Sequence, residues 1–302
     1  MPDTTKTNSV AVDGRVLLTE ADLVGWRRDG YVIVRGLWSP EEVAACRTWF
    51  DELGERGEAV PGQWEPDLGS TDPLKRYPRH LQPHVYDDLS MRMLIDARIE
   101  AVIAALLGEP PIAAQSMFYY KPPGGLGQAL HQDNLYLRVR PKTCVAAWTA
   151  IDRSHPENGG LYICPGTQDM ALACPELANP KESFTSHFVR PPAGIEPVPA
   201  ILDPGDVLFF GGSIVHGSRP NTTRGEWRRS FICHYAPESL EVMAEYYRAA
   251  VRFDGTPFGF ELAEGGGPCG VEFPNGEAPT TFEQAEAMGL KPVASGSIPA
   301  AV

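Results

Sequence analysis

The sequence predicts a mainly β protein with flanking helices, a barrel or double-sheet sandwich buttressed by helices. Three observations predict it. The 302 residues include 30 glycines and 29 prolines, about a fifth of the chain against a usual share of roughly 12%. Such a density of turn formers argues against a helical bundle. Between Pro111 and about Pro237 short apolar segments alternate with turn signals, and the stretches before Pro111 carry helix signals. With 43% hydrophobic residues the chain is able to bury a substantial core, and β folds of this length often form one domain.

In chain order, residues 1–16 read as a disordered tail. Thr19, with Asp22 three places on, caps a helix that runs to about Asp29 and ends at Gly30. Tyr31–Arg35 is a short β-branched strand. Ser39, Pro40, Glu41 and Glu42 open a second helix, reaching about Leu53, with a cap, a first-turn proline and acids at the positive dipole end. Residues 57–90 lack periodicity and form a long loop, of the kind that is a lid, a binding loop or a disordered segment. Met91–Leu107 reads as one helix closed by Gly108. The expected strands are Ile112–Lys121, Leu135–Arg140, Val145–Ile151, Gly160–Pro165, Val207–Phe210, Ile214–His216 and Arg229–Tyr235. A helix over Leu240–Val251, a loop over Gly265–Pro279 and a short helix over Thr281–Met288 complete the chain.

No stretch approaches the roughly 18 apolar residues of a membrane span, and the polar start, Met1–Gly14, lacks an apolar signal core. We therefore expect a soluble, cytoplasmic protein with no membrane partner. The net charge of -13 disfavours nucleic acid, which needs a basic face. Cys46, Cys144, Cys164, Cys174, Cys233 and Cys269 are scattered without a CxxC pair, which suits buried reduced side chains rather than a disulfide frame or zinc site. Oligomeric state is silent.

The chemistry concentrates in two places. His131-Gln132-Asp133 follows the Gly-rich run 122–127, and in a strand residues i and i+2 share a face. His131 and Asp133 then present an imidazole and a carboxylate to one metal ion. Alone this is weak, since composition yields roughly 0.4 such pairs by chance. The turn Asp203-Pro-Gly-Asp206, the strand Val207–Phe210 and then His216-Gly217-Ser218 supply a second imidazole at a strand end. Two histidines and one carboxylate form a facial triad that leaves positions open on Fe(II). Arg228, twelve residues after His216, opens an apolar strand and offers a bidentate grip for a carboxylate. Arg229 is its rival. His234 competes weakly with His216 and reads better as a core or pocket histidine. His80, His84, His155 and His187 lie in loops and read as surface residues. Gln132 and Asn134 read as structural. The run Lys75-Arg76 with Arg79 reads either as a solvated face or, more sharply, as a basic lid that meets an anionic substrate.

The ordered pattern His131-x-Asp133, His216-Gly-Ser218, Asn221 and Arg228 resembles the phytanoyl-CoA dioxygenase family of Fe(II)/2-oxoglutarate oxygenases. Lys121-Pro-Pro123, Ala147-Trp148-Thr149-Ala150, Asn158-Gly-Gly-Leu161 and Pro165-Gly-Thr167 support it, over about residues 17–237. The resemblance implies a double-stranded β-helix (jelly-roll, cupin-like) core. It implies a single oxygenase domain over 17–302, with a helical part 17–110, the jelly roll 111–237, and a C-terminal helix and loops 238–302. It implies Fe(II) held by His131, Asp133 and His216, with 2-oxoglutarate and O2 as cosubstrates. It implies that Arg228 grips the distal carboxylate, with Ser218, Trp148, Gln115 and Tyr119 around it. Hydroxylation of a small molecule is the implied reaction, because relatives that halogenate carry Ala or Gly where Asp133 stands. An acyl-CoA or carrier-bound substrate is the alternative within the family. A cupin-type metal enzyme of another class is the alternative outside it, although its usual His-x-His with a Glu is absent here.

Overall fold

The computed structural model describes residues 9–263. Its larger sheet has six antiparallel strands in the order Tyr31–Val34, Val207–Gly211, Val145–Ala150, Ser230–Pro237, Pro111–Tyr119 and His80–Leu81. The smaller has four, Val198–Pro199, Leu161–Ile163, His216–Ser218 and Gln128–His131. Together they form the double-stranded β-helix. Strand alternation gives the larger sheet two buried faces. Met117, Trp148, Phe210 and Ile232 project toward the smaller sheet, where Leu161 and Ile163 meet them. Phe118, Ala147, Phe209, Phe231 and Tyr235 project the other way, against Val43, Cys46 and Phe50 of one helix and Ile99 and Ile103 of another. Both faces being covered explains why Pro111–Tyr119 and Ser230–Pro237 read as apolar runs rather than alternating strands.

The helix signals act as read. Thr19 and Asp22 form a reciprocal capping box on Glu20–Asp29, and Gly30 closes it with φ 78°. Ser39 and Glu42 do the same for Pro40–Arg56, which runs one turn further than expected, to Gly57. Gly30 is required twice over, because a Cβ there would also lie 2.5 Å from the Ile214 side chain.

Several expectations need correction. The segment within 1–16 is no plain tail, since Val10–Val12 and Arg15–Leu18 pair as a hairpin joined through Asp13 and Gly14, both at positive φ. The expected helix Met91–Leu107 is two helices, Asp88–Leu94 and Ala97–Leu107. Asp96 ends the first run by capping the second through the Arg98 N–H. The long loop holds a helical turn Pro73–Arg76 and the edge strand His80–Leu81. Leu135–Arg140 is not a strand. Asn134–Leu137 is a helical turn ended by Arg138 in the left-handed region, and the Asn134 amide ties the exit to the Val139 backbone. Leu240–Val251 is not a helix but a two-residue strand and a turn of 3-10 helix, its apolar residues packing on Ile112 and Leu137 without helical periodicity. His80 and His84 are buried, not superficial. Cys46, Cys144, Cys164 and Cys233 are buried and free as expected, but Cys174 is disulfide-bonded, a pairing that spacing along the chain does not reveal. The expected loop 265–279 and helix 281–288 lie outside the described residues. No helix among the described residues is long and apolar enough to cross a membrane.

Candidate active site

The smaller sheet brings two imidazoles together by register. His131 and His216 are directly opposed across adjacent antiparallel strands, with ring centroids 4.2 Å apart. That pairing demands close approach of the backbones. A Cβ on Gly217 would lie 2.7 Å from the Gln128 carbonyl, and one on Gly127 would lie 2.1 Å from the Ser218 carbonyl. The third group arrives differently from the expectation. The strand ends at His131, and Asp133 has helical backbone angles at the head of the Asn134–Leu137 turn. The turn, not strand alternation, swings its carboxylate back, so that Oδ1 lies 3.3 Å from His131 Nε2 and 3.5 Å from His216 Nε2.

The tautomers suit a metal. His131 Nδ1 donates to the Ala129 carbonyl at 2.9 Å and His216 Nδ1 to the Ile214 carbonyl at 3.1 Å. Each Nε2 therefore carries its lone pair toward Asp133. Burial pushes His216 down to about 4, which keeps it neutral. Burial alone would raise Asp133, yet the imidazoles packed around it, with His234 donating to Oδ2, hold its carboxyl well below the ordinary range. Two neutral imidazoles and one carboxylate, with donor atoms all within 4.8 Å of one another, fit a divalent cation such as Fe(II) on one face. His234 is not a member of this set. It extends from the larger sheet, and its Nε2 donates to Asp133 Oδ2 at 3.0 Å. Sequence reading placed it in the core or pocket but did not see that it orients the carboxylate.

The triad opens into a cavity of about 910 Å³ between the sheets. Gln115, Tyr119, Trp148, Ser218 and Arg228 all line it, so each position expected near the cosubstrate faces one space. Of the two adjacent arginines, Arg228 turns inward. It is 1% exposed, sits 5.3 Å over the Trp148 ring and donates to Ser230 Oγ at 2.8 Å, while its Nε has no partner. Arg229 turns outward to Asp51 and Asp152, both at 2.8 Å. Successive residues of the extended segment leading into the strand Ser230–Pro237 take opposite sides.

Sequence reading missed Lys121 as a site residue, quoting it only within a motif. It is 2% exposed, and its Nζ donates to Ser218 Oγ at 2.8 Å, the Arg219 carbonyl at 2.9 Å and the Gly159 carbonyl at 3.1 Å. None of these acceptors is charged. Burial, and then the nearby Arg228, pushes its ammonium well below the usual range, and burial takes Arg228 down to about 10. The signal available was parity, since Lys121 continues the alternation of Gln115, Met117 and Tyr119 into the cavity. Ser218 Oγ also accepts from the Gln128 N–H at 3.2 Å. With both lone pairs engaged, its own O–H is left to donate.

The family model of phytanoyl-CoA dioxygenase matches residues 26–230. A methylphosphonate hydroxylase of Gimesia maris is 29% identical over 76% of this chain and 85% of its own. A probable phytanoyl-CoA dioxygenase of Caenorhabditis elegans is 32% identical over 71% of this chain and 74% of its own. Among solved structures, the epimerase SnoN in complex with Fe3+, alpha ketoglutarate and nogalamycin RO superposes with a TM-score of 0.58. It covers 80% of this chain and 96% of that one at 22% identity, a likeness of fold.

Proposed function

The chain belongs to the phytanoyl-CoA dioxygenase family, and from that premise we propose that His131, Asp133 and His216 hold Fe(II) while Arg228, Lys121 and Ser218 receive the distal carboxylate of 2-oxoglutarate. The protein is a non-haem Fe(II)/2-oxoglutarate-dependent dioxygenase. Bound together, Fe(II), 2-oxoglutarate and O2 supply an oxidant able to break an unactivated C–H bond, with release of succinate and CO2. What this chain adds is placement.

The observation that carries the site assignment is a pair of buried cations without an anion. Arg228 and Lys121 repel one another, and no carboxylate among the described residues pairs with either. Buried unpaired charge is costly, and a bound carboxylate relieves both groups at once. The Arg228 Nε and the Ser218 hydroxyl supply further donors at the same place. Trp148, beneath the Arg228 guanidinium, and Gln115 line the same cavity as the triad. Around the metal the carbonyl groups of Ala129 and Ile214 fix both imidazoles, and His234 fixes the carboxylate. Because Asp133 keeps an anionic donor in the set, we assign hydroxylation rather than halogenation, on a small-molecule substrate.

The test is anaerobic titration of the metal-free protein with Fe(II) and then 2-oxoglutarate, following the visible charge-transfer band of the chelate. Wild type gives the band, His216→Ala abolishes it, and Arg228→Ala and Lys121→Met each raise the 2-oxoglutarate concentration needed by more than tenfold. Arg229→Met leaves it unchanged. An unchanged titration in both Arg228→Ala and Lys121→Met removes the assignment.

A further inference from the structure

Once the cosubstrate is placed, two cations of the cavity lining remain, Arg79 and Arg138, of which Arg138 is engaged within the protein. The lining carries Arg79, Lys121, Arg138 and Arg228 against two acids, Asp133 and Glu245. Asp133 faces the metal, and Glu245 pairs with Arg248 at 3.0 Å. A protein of net charge -13 therefore encloses a cavity with an excess of positive groups, which is the arrangement that concentrates an anion locally.

Arg79 belongs to the basic run that the sequence left divided between a solvated face and a lid. The structure separates its members. Lys75 and Arg76 are exposed on a helical turn, whereas Arg79 lines the cavity. Its hydrogen bond runs to the Tyr119 hydroxyl at 3.1 Å, and no carboxylate among the described residues lies within ion-pair distance. Its guanidinium stands 5.7 Å from the Tyr119 ring centroid and 5.5 Å from that of Phe184. Two aromatic walls flank the group, and one hydrogen bond to a neutral hydroxyl leaves most of its N–H donors uncommitted. It keeps access to solvent, as a group at the mouth must if an incoming molecule is to reach it. Beside it Leu81, Tyr136 and Tyr246 give the same end an apolar lining.

We propose that the substrate is a small organic anion, a carboxylate or phosphonate on an apolar body, whose charged head pairs with Arg79 while its carbon body lies along Tyr119 and Phe184 toward the triad. The proposal rests on the oxygenase reading above. An anionic head is also what the methylphosphonate in the name of the Gimesia maris relative carries, there on a single methyl group.

The experiment uses the Fe(II)-loaded protein saturated with 2-oxoglutarate under anaerobic conditions. Methylphosphonate, phenylphosphonate, acetate and phenylacetate are added in turn, with dimethyl methylphosphonate as the neutral counterpart. Binding beside the iron is read as a shift of the charge-transfer band. At least one anion shifts the band of wild type at a concentration tenfold or more below the neutral ester. Arg79→Met raises that concentration at least tenfold, Arg79→Lys recovers part of it, and the 2-oxoglutarate titration of both variants stays within twofold of wild type. Whether phosphonates or carboxylates act at lower concentration identifies the head group. The proposal is overturned if no anion shifts the band, if the neutral ester binds equally, or if Arg79→Met weakens 2-oxoglutarate itself, which would place Arg79 on the cosubstrate. A missing band in wild type overturns the oxygenase reading first, so the two failures are told apart.

Discussion

At the scale of single residues, the site depends on groups that touch neither metal nor cosubstrate. His234 holds one oxygen of Asp133 at 3.0 Å, which leaves the other facing both imidazoles. His234→Phe removes that restraint while keeping the bulk, and is expected to weaken Fe(II) binding by about 10- to 100-fold. Anaerobic iron titration measures it, and an unchanged affinity would show that Asp133 needs no such support. Arg229 makes the opposite case. Its ion pairs with Asp51 and Asp152 join a helix to the end of a sheet strand and are largely shielded from water. Arg229→Met should cost about 1–3 kcal/mol of stability in denaturant unfolding, with no change in cosubstrate affinity. The sequence favoured Arg228 by counting back from Tyr235 but left Arg229 as a rival, since adjacent residues differ in function only through the face each takes. That face depends on where the strand begins.

At the scale of elements, the decisive contact is between the strands Gln128–His131 and His216–Ser218. Gly127 lets them close, with no room for a Cβ beside the Ser218 carbonyl. Gly127→Ala is therefore expected to cost about 3 kcal/mol and to lose iron binding in parallel, because the same displacement parts His131 from His216. A variant that kept iron affinity despite the lowered melting temperature would separate packing from register. Most elements were legible because their signals are local. Capping boxes, first-turn proline and closing glycines mark the first two helices within a few residues. The failures share a cause. Asn134–Leu137 and 240–251 are apolar because they pack on the sheet, and burial writes apolarity without saying which backbone carries it. The triad was legible as an ordered pattern, but the reason for its geometry was not. Asp133 reaches the metal face through a helical turn where a strand was expected.

At the scale of the molecule, the helix-covered face of the larger sheet hides two neutral histidines. His80 bonds to the Tyr86 and Tyr120 hydroxyls, and His84 to Ser116 and the Ala249 carbonyl. Burial pushes them down to about 3 and about 4. Unfolded, each has a pKa near 6.5, so between about pH 6.5 and 4 the unfolded chain binds more protons than the folded one. Stability then falls as pH drops through that window, by up to about 1.4 kcal/mol per pH unit for each histidine, and flattens above it. Unfolding measured from pH 8 to 4 checks the slope, and His84→Asn should reduce it. A further feature of the whole molecule lies in what closes the cavity. Part of its lining comes from Arg79, Leu81 and residues 184–187, 244–247 and 262–263, and none of these supplies a metal donor or a member of the cation pair. On the proposal above, selection of the molecule to be oxidised is written largely on these stretches, with Tyr119 the one wall shared with the machinery that oxidises it. A lineage is free to exchange its rim for another and acquire a new diet while keeping its furnace intact.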